Sequence, residues 1–245
     1  MPKPKTPKIE ELFDAGVHYG HQVRRWHPNM EQYIYTAKQN VHIINLELTE
    51  KMIEDACDFL YETASKGGTI IFVGTKRQAR EIVKLEAKRC GAKYVTERWL
   101  GGTITNFRVI KKNVDKLVDM MHKRESGEYE KYTKKERLMI DRDIEKLEKS
   151  VGGIVGMDNV PAAVFVVDAR REKTAVREAT RAKVPVVGLV DTNSDPTNIN
   201  YVVPGNDDAI KAVALIVKTI ADAAEAGYKD FGKKKEEKVE KKEEK

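Results

Sequence analysis

The sequence predicts an α/β fold, a doubly wound and mostly parallel sheet interrupted by an inserted helical hairpin, and three observations carry this. Thr69–Val73 (TIIFV), Ala163–Val167 and Val186–Val190 are short, continuous apolar runs rich in β-branched residues, the pattern of strands buried on both faces. Helix-patterned stretches alternate with them, which implies right-handed crossovers and parallel pairing with helices on both faces of the sheet. Between residues 106 and 150 the alternation stops and heptad spacing takes over, over a length that no ordinary connecting loop needs.

Taken in order, residues 1–8 (MPKPKTPK) read as a disordered basic lead, because Pro and Lys alternate with no apolar residue to bury. A short helix is expected over Ile9–Ala15, followed by a segment, Gly16–Asn29, with neither helical nor strand period. Tyr33–Thr36 and Val41–Asn45 are strand candidates, and Thr49–Ser65 a helix with Thr49 as N-cap and Gly67-Gly68 as its stop. After the Thr69–Val73 strand, Thr75-Lys76-Arg77-Gln78 has capping-box spacing and predicts a helix to Cys90, closed by Gly91. Tyr94-Val95 begins another strand. Beyond the interruption come strand Ala163–Val167, helix Thr174–Ala182, strand Val186–Val190, a short strand Tyr201–Val203, and a closing amphipathic helix from Asp207 to Ala226 capped by Asn206 or Asp207. One α/β domain is thus expected from residues 9–105 and 151–227, with a Lys/Glu-rich disordered tail over 228–245.

The inserted segment repeats apolar residues at Phe107, Ile110, Val114, Leu117 and Met121, then at Ile140, Ile144, Leu147 and Val151. A Gly-containing turn and a Thr133-Lys-Lys-Glu136 capping box separate the two limbs, predicting an antiparallel coiled-coil hairpin. Its other positions hold thirteen Lys/Arg against ten Asp/Glu, a polar and slightly basic outer face.

Charged residues make up 34% of the chain and the net charge is +6, which suits a polyanionic partner as well as a plain Lys-rich surface. Cys57 and Cys90 lie among apolar neighbours and form neither a disulfide framework nor a CxxC motif, as expected of a reducing, cytoplasmic setting. No signal-like segment and no membrane-spanning run is expected.

Four groups of residues could carry chemistry. Gly74-Thr75-Lys76-Arg77 ends a strand and opens a helix, where free N–H groups favour an anion. It matches neither nucleotide fingerprint, so an RNA phosphate held by Lys76 and Arg77 and an ordinary capped turn are the competing readings. Asp168, Asp191 and Asp195 follow strand ends and Asp207-Asp208 opens the last helix; they suit either turns and caps or a divalent ion. His21, if it folds over that edge, completes with Asp191 and Asp207 a site for a structural zinc or magnesium. Basic residues interleaved with aromatics form the clearest pattern: Arg24-Arg25-Trp26, Arg98-Trp99, and Asn106-Phe107-Arg108 running into Lys111-Lys112. Arg forks match phosphates and aromatic planes stack on unpaired bases, although Trp26 and Trp99 could equally be buried anchors.

The stretches GVHYGHQVRRWHPNM, NVHIINLE, FVGTKRQA, ERWLGGTITNF, FVVDARRE, PVVGLVDTNSDP and VPGNDDAI, spread from Gly16 to Ala226, resemble the second-numbered protein family of the bacterial ribosomal small subunit. Its archaeal and eukaryotic relatives include the laminin-receptor-like ribosomal protein. The resemblance implies a flavodoxin-like three-layer sandwich with an inserted coiled coil. It also implies a place on the ribosome, bound to small-subunit rRNA and to other small-subunit ribosomal proteins, in some bacteria including the large mRNA-binding one. The expected function is structural, with no catalytic cofactor, small-molecule substrate or membrane. The rivals are a phosphate- or nucleotide-handling hydrolase using Gly74–Arg77 and the Asp cluster, and a protein-interaction module using the hairpin.

Overall fold

The computed structural model of the chain describes residues 6–243, with the backbone alone for 234–243. Residues 1–5 and 244–245, parts of the expected disordered lead and tail, lie outside the described residues. The elements are α1 (Ile9–Asp14), β1 (Tyr19–Gln22), β2 (Ile34–Lys38), β3 (Val41–Ile44), α2 (Leu46–Ser65), β4 (Ile70–Val73), α3 (Arg80–Cys90) and β5 (Lys93–Val95). Then follow α4 (Phe107–Glu125), α5 (Lys134–Val151), β6 (Ala163–Val167), α6 (Lys173–Arg181), β7 (Val186–Val190), β8 (Tyr201–Pro204) and α7 (Ile210–Glu243).

Five parallel strands form the main sheet in the order β5-β4-β6-β7-β8. Every residue of β4, β6 and β7 is buried, as their unbroken apolar runs predicted. Within each strand the side chains divide by the period of two. Ile70, Phe72, Phe165, Val167 and Leu189 join α2, α3 and α7 in one core; Ile71, Val73, Val164, Val166 and Val190 join α6 and the base of the hairpin in the other. The result is three layers. Phe72 and Phe165 meet edge-on at 5.2 Å between ring centres in the first core. Each buried ring removes enough apolar surface to stabilise the fold by about 1.5–3 kcal/mol.

The insertion consists of two helices, α4 and α5, joined by a short turn. Thr133 and Glu136 form both bonds of the capping box, and Gly127 takes the left-handed conformation that turns the chain back. Ile110, Val114 and Leu117 of α4 are buried in the same core as Ile144 and Val151 of α5.

Four features differ from the sequence reading. A second sheet, antiparallel and ordered β1-β3-β2, includes residues 19–22 of the segment read as irregular. β1 has no buried residue and hence no alternation to detect. β2 and β3 are joined by Gln39 and Asn40, both with positive φ, a tight hairpin turn of the primed kind written without the usual glycine. Helix α2 starts earlier, because Asn45 and not Thr49 caps it; the Thr49 hydroxyl donates instead to the Pro204 carbonyl at 2.7 Å. Helix α3 starts only at Arg80, without a side-chain cap: the Thr75 N–H goes to Glu172 Oε1 at 2.8 Å, so the box expected from Thr75 and Gln78 does not form. Finally, α7 continues past Ala226 to Glu243. Tyr61 donates to Asp230 at 2.5 Å, Tyr228 donates to the Gly68 carbonyl, and the Phe231 ring lies against Gly67. These aromatic contacts hold the first turns that the Lys/Glu composition disguises.

Candidate functional site

Numbered along the chain, the parallel strands run 2-1-3-4-5, and in sheets of that order ligands sit outside the carboxyl ends where the order reverses. Here that point lies between β4 and β6, and the chain's own side chains fill it. Besides the Thr75–Glu172 bond, Arg171 Nε donates to Thr75 Oγ1 at 2.9 Å. Lys76 turns inward and its Nζ meets Asp207 Oδ1 at 2.5 Å, Asp208 Oδ1 at 2.6 Å and Asp168 Oδ2 at 3.5 Å. Burial works against the Lys76 charge, but these carboxylates outweigh it and hold the ammonium pKa above its ordinary value. Lys76 therefore has its anions already, and they are protein carboxylates.

β1 lies across the same edge. The His21 N–H donates to Thr192 Oγ1 at 2.9 Å, and a Cβ on Gly20 would stand 2.7 Å from the Thr192 side chain, so glycine allows this approach. His21 Nδ1 sits 3.0 Å from Asp191 Oδ2, and Nε2 sits 3.3 Å from Asp208 Oδ2. The bond to Asp191 raises the imidazole pKa, against burial and aided by the neighbouring carboxylates. Asp207 is fully buried; burial, then repulsion from Asp168 and Asp191, pushes its carboxyl up to about 7 despite Lys76. One oxygen, Oδ2, has no hydrogen-bond partner. Candidate ligand atoms of His21, Asp191 and Asp207 all lie within 4.8 Å of one another, the trio named from the sequence. One imidazole and two carboxylates are a donor set that suits zinc and tolerates magnesium.

The adjoining region has the opposite character. The loop carrying Arg25 and Trp26 is pinned by His27 N–H to the Thr192 carbonyl at 2.8 Å, and by Asn29 Nδ2 to Thr197 Oγ1 at 2.9 Å and Asp195 Oδ1 at 3.2 Å. Between this loop and α6 opens a cleft of about 480 Å³ lined by Arg25, Trp26, Arg170, Lys173 and Arg177. All four cations are exposed, and none pairs with a carboxylate among the described residues. Asn193, Asp195 and Asn198 form the remaining polar wall. Arg181 extends the basic row along α6 into a neighbouring hollow. Arg170, Lys173, Arg177 and Arg181 escaped the sequence reading, which sought basic residues beside aromatics. The four-residue spacing of Lys173, Arg177 and Arg181 along α6, with Arg170 in the turn just before it, was the signal.

The other expected RNA contacts are scattered. Arg24, Arg77, Arg98, Arg108 and Lys112 are exposed, with Arg24 donating to Gln22 and Lys111 tied to Asp158 at 2.8 Å. Trp99 is buried, and its indole N–H donates to Glu178 Oε1 at 3.3 Å, so it anchors rather than stacks. Glu178, also unnoticed in the sequence, accepts further bonds from the N–H groups of Gly102, Ile104 and Thr105. Burial opposes its charge, yet these donors prevail and hold its carboxyl below the usual range. Glu178 thereby ties α6 to the loop at the hairpin's base.

Comparison with known proteins supplies the wider setting. A family described as "Ribosomal protein S2" matches residues 12–227. A curated relative from Sorangium cellulosum (strain So ce56), the "Small ribosomal subunit protein uS2", is 48% identical over 227 residues, covering 91% of this chain and 82% of the relative.

Proposed function

The chain belongs to the ribosomal protein S2 family, and from that premise we propose that it is a structural part of the small ribosomal subunit, bound to small-subunit rRNA through the cleft between Trp26 and α6. One observation carries the choice of surface: four exposed cations converge on a concave site without a carboxylate partner among the described residues. Lys and Arg there neutralise phosphates and release counterions, while the fold supplies the shape. Arg24, Arg77, Arg98, Arg108 and Lys112 extend the contact as peripheral phosphate ligands; Lys76 and Trp99 do not, being held inside by Asp207 and Glu178. Helix α2 carries Glu47, Glu50, Glu54, Asp55 and Glu62, an acidic row that suits a neighbouring ribosomal protein better than RNA. Affinity for small-subunit rRNA should fall linearly with salt on logarithmic axes, by about one unit of slope per phosphate neutralised. Salt-independent binding would contradict the reading.

The second part of the proposal concerns the sealed edge, where His21, Asp191 and Asp207 hold a structural divalent ion, zinc before magnesium. The unpartnered Asp207 Oδ2 supports it: a buried carboxylate oxygen without a donor is costly unless something cationic meets it. Such an ion would tie β1 to the main sheet and take no part in a reaction. Elemental analysis of the purified protein should find one bound ion, absent from His21→Ala; equal metal content in both would sink the idea.

A further inference from the structure

We propose that the cleft between Trp26 and α6 holds one unpaired nucleotide of its RNA partner, with the base inside and the flanking phosphates on the cations. This deepens the RNA-binding reading above and rests on it. Contact with a phosphate backbone needs only cations on an open surface, because a duplex presents its phosphates outward and keeps its bases stacked and paired inside. The cleft has more than that. Its volume of about 480 Å³ lies in the range in which proteins enclose small ligands, about 300–1,000 Å³.

Trp26 supplies an aromatic surface at the mouth. The side chain is 36% exposed, and its ring is set 5.5 Å from His42, which buttresses it. The main-chain bond from His27 to Thr192 fixes the loop, so the ring is presented rather than left to wander. Stacking on an aromatic ring is a sequence-tolerant way to hold an extruded base.

The polar wall points the same way. Asn193 and Asn198 each carry a donor and an acceptor, the complement of a base edge. Asp195 is the telling residue. A carboxylate in a phosphate-binding site repels its ligand, yet Asp195 stands among four cations without an ion pair to any of them among the described residues. It is held by the Thr197 N–H and hydroxyl and by Asn29, and the Thr197 hydroxyl holds its carboxyl below the usual range. A carboxylate accepts from an exocyclic amine, so the wall favours a base that carries one. Arg25 on one rim and Arg170, Lys173 and Arg177 on the other are then placed for the phosphates on either side.

The test uses the full chain and three RNAs: a continuous duplex, the same duplex with one bulged adenosine, and the same bulge made abasic. The bulged adenosine should bind about tenfold tighter than the other two and quench tryptophan emission, the scale expected for one stacked base. Trp26→Ala should erase the preference for the bulged adenosine, while Trp26→Phe keeps most of it. Asn193→Ala, which leaves the ring in place, should reduce it. Equal binding of all three RNAs by the wild type overturns the inference and leaves RNA binding through the cleft standing. Binding of none overturns both.

Discussion

Asp191 and Asn193 are neighbours just beyond β7, but they belong to regions of opposite design. Asp191 lies at 1% exposure in a cluster where His21 and Lys76 are paired with four aspartates, all but Asp208 mostly withdrawn from solvent. Asn193 lines a cleft where four exposed cations face water without an ion pair among the described residues. A sealed cluster of that kind serves the fold: buried charges persist only when paired, and here they pin β1 and the end of β4 to the sheet. An open set of like charges does nothing for the fold, since self-repulsion opposes it, and it suits a polyanion from outside. The contrast also bears on catalysis. The place where this strand order offers a ligand site is closed by Lys76, Thr75, Glu172 and Arg171, and the open site lies one strand further along.

Each region can be broken separately. The largest effect is expected from Lys76→Met, which leaves buried carboxylates facing each other; unfolding in denaturant should show a loss of about 3–5 kcal/mol. A loss below measurement error would mean that the cluster is not sealed. Glu178→Gln should cost less, about 1–3 kcal/mol, because several N–H groups lose their shared acceptor. The pH dependence has a definite sign. The folded carboxyl titrates below its ordinary value of 4.5, so its stabilisation is present above pH 4.5 and is lost as pH falls through the folded value. Wild type should therefore lose its advantage over Glu178→Gln on acidification below pH 4.5, and an unchanged gap would refute the clamp. The smallest effect belongs to Arg24→Ala: no shift in melting temperature, and a drop of at most about one unit in the salt slope of RNA binding.

The sheet and hairpin were legible because each rests on a repeating pattern: unbroken β-branched runs in β4, β6 and β7, and heptads with a true capping box in α4 and α5. What escaped was set by tertiary contacts. β1 pairs along an edge and buries nothing fully; Thr75 has capping spacing, but Glu172, 97 positions away, takes its N–H. Asp191 and Asp207 meet because both follow carboxyl ends of neighbouring strands, whereas His21 reaches them from β1 of the separate antiparallel sheet, an approach that strand order does not dictate. The basic cleft was half legible, through Arg25 and Trp26. Its other wall on α6 needed charge read at helical spacing, and Lys76 looked like a phosphate ligand because nothing local reveals that three aspartates surround it.

The most direct test removes the charge from one region at a time and measures both properties. Arg170→Ala, Lys173→Ala and Arg177→Ala combined should leave the melting temperature in place and lower the salt slope of binding to small-subunit rRNA by about three units. Lys76→Met should do the reverse, lowering the melting temperature while the folded protein keeps its slope. If the triple variant binds like wild type, or Lys76→Met alone weakens RNA binding, the cleft is not where this protein meets RNA.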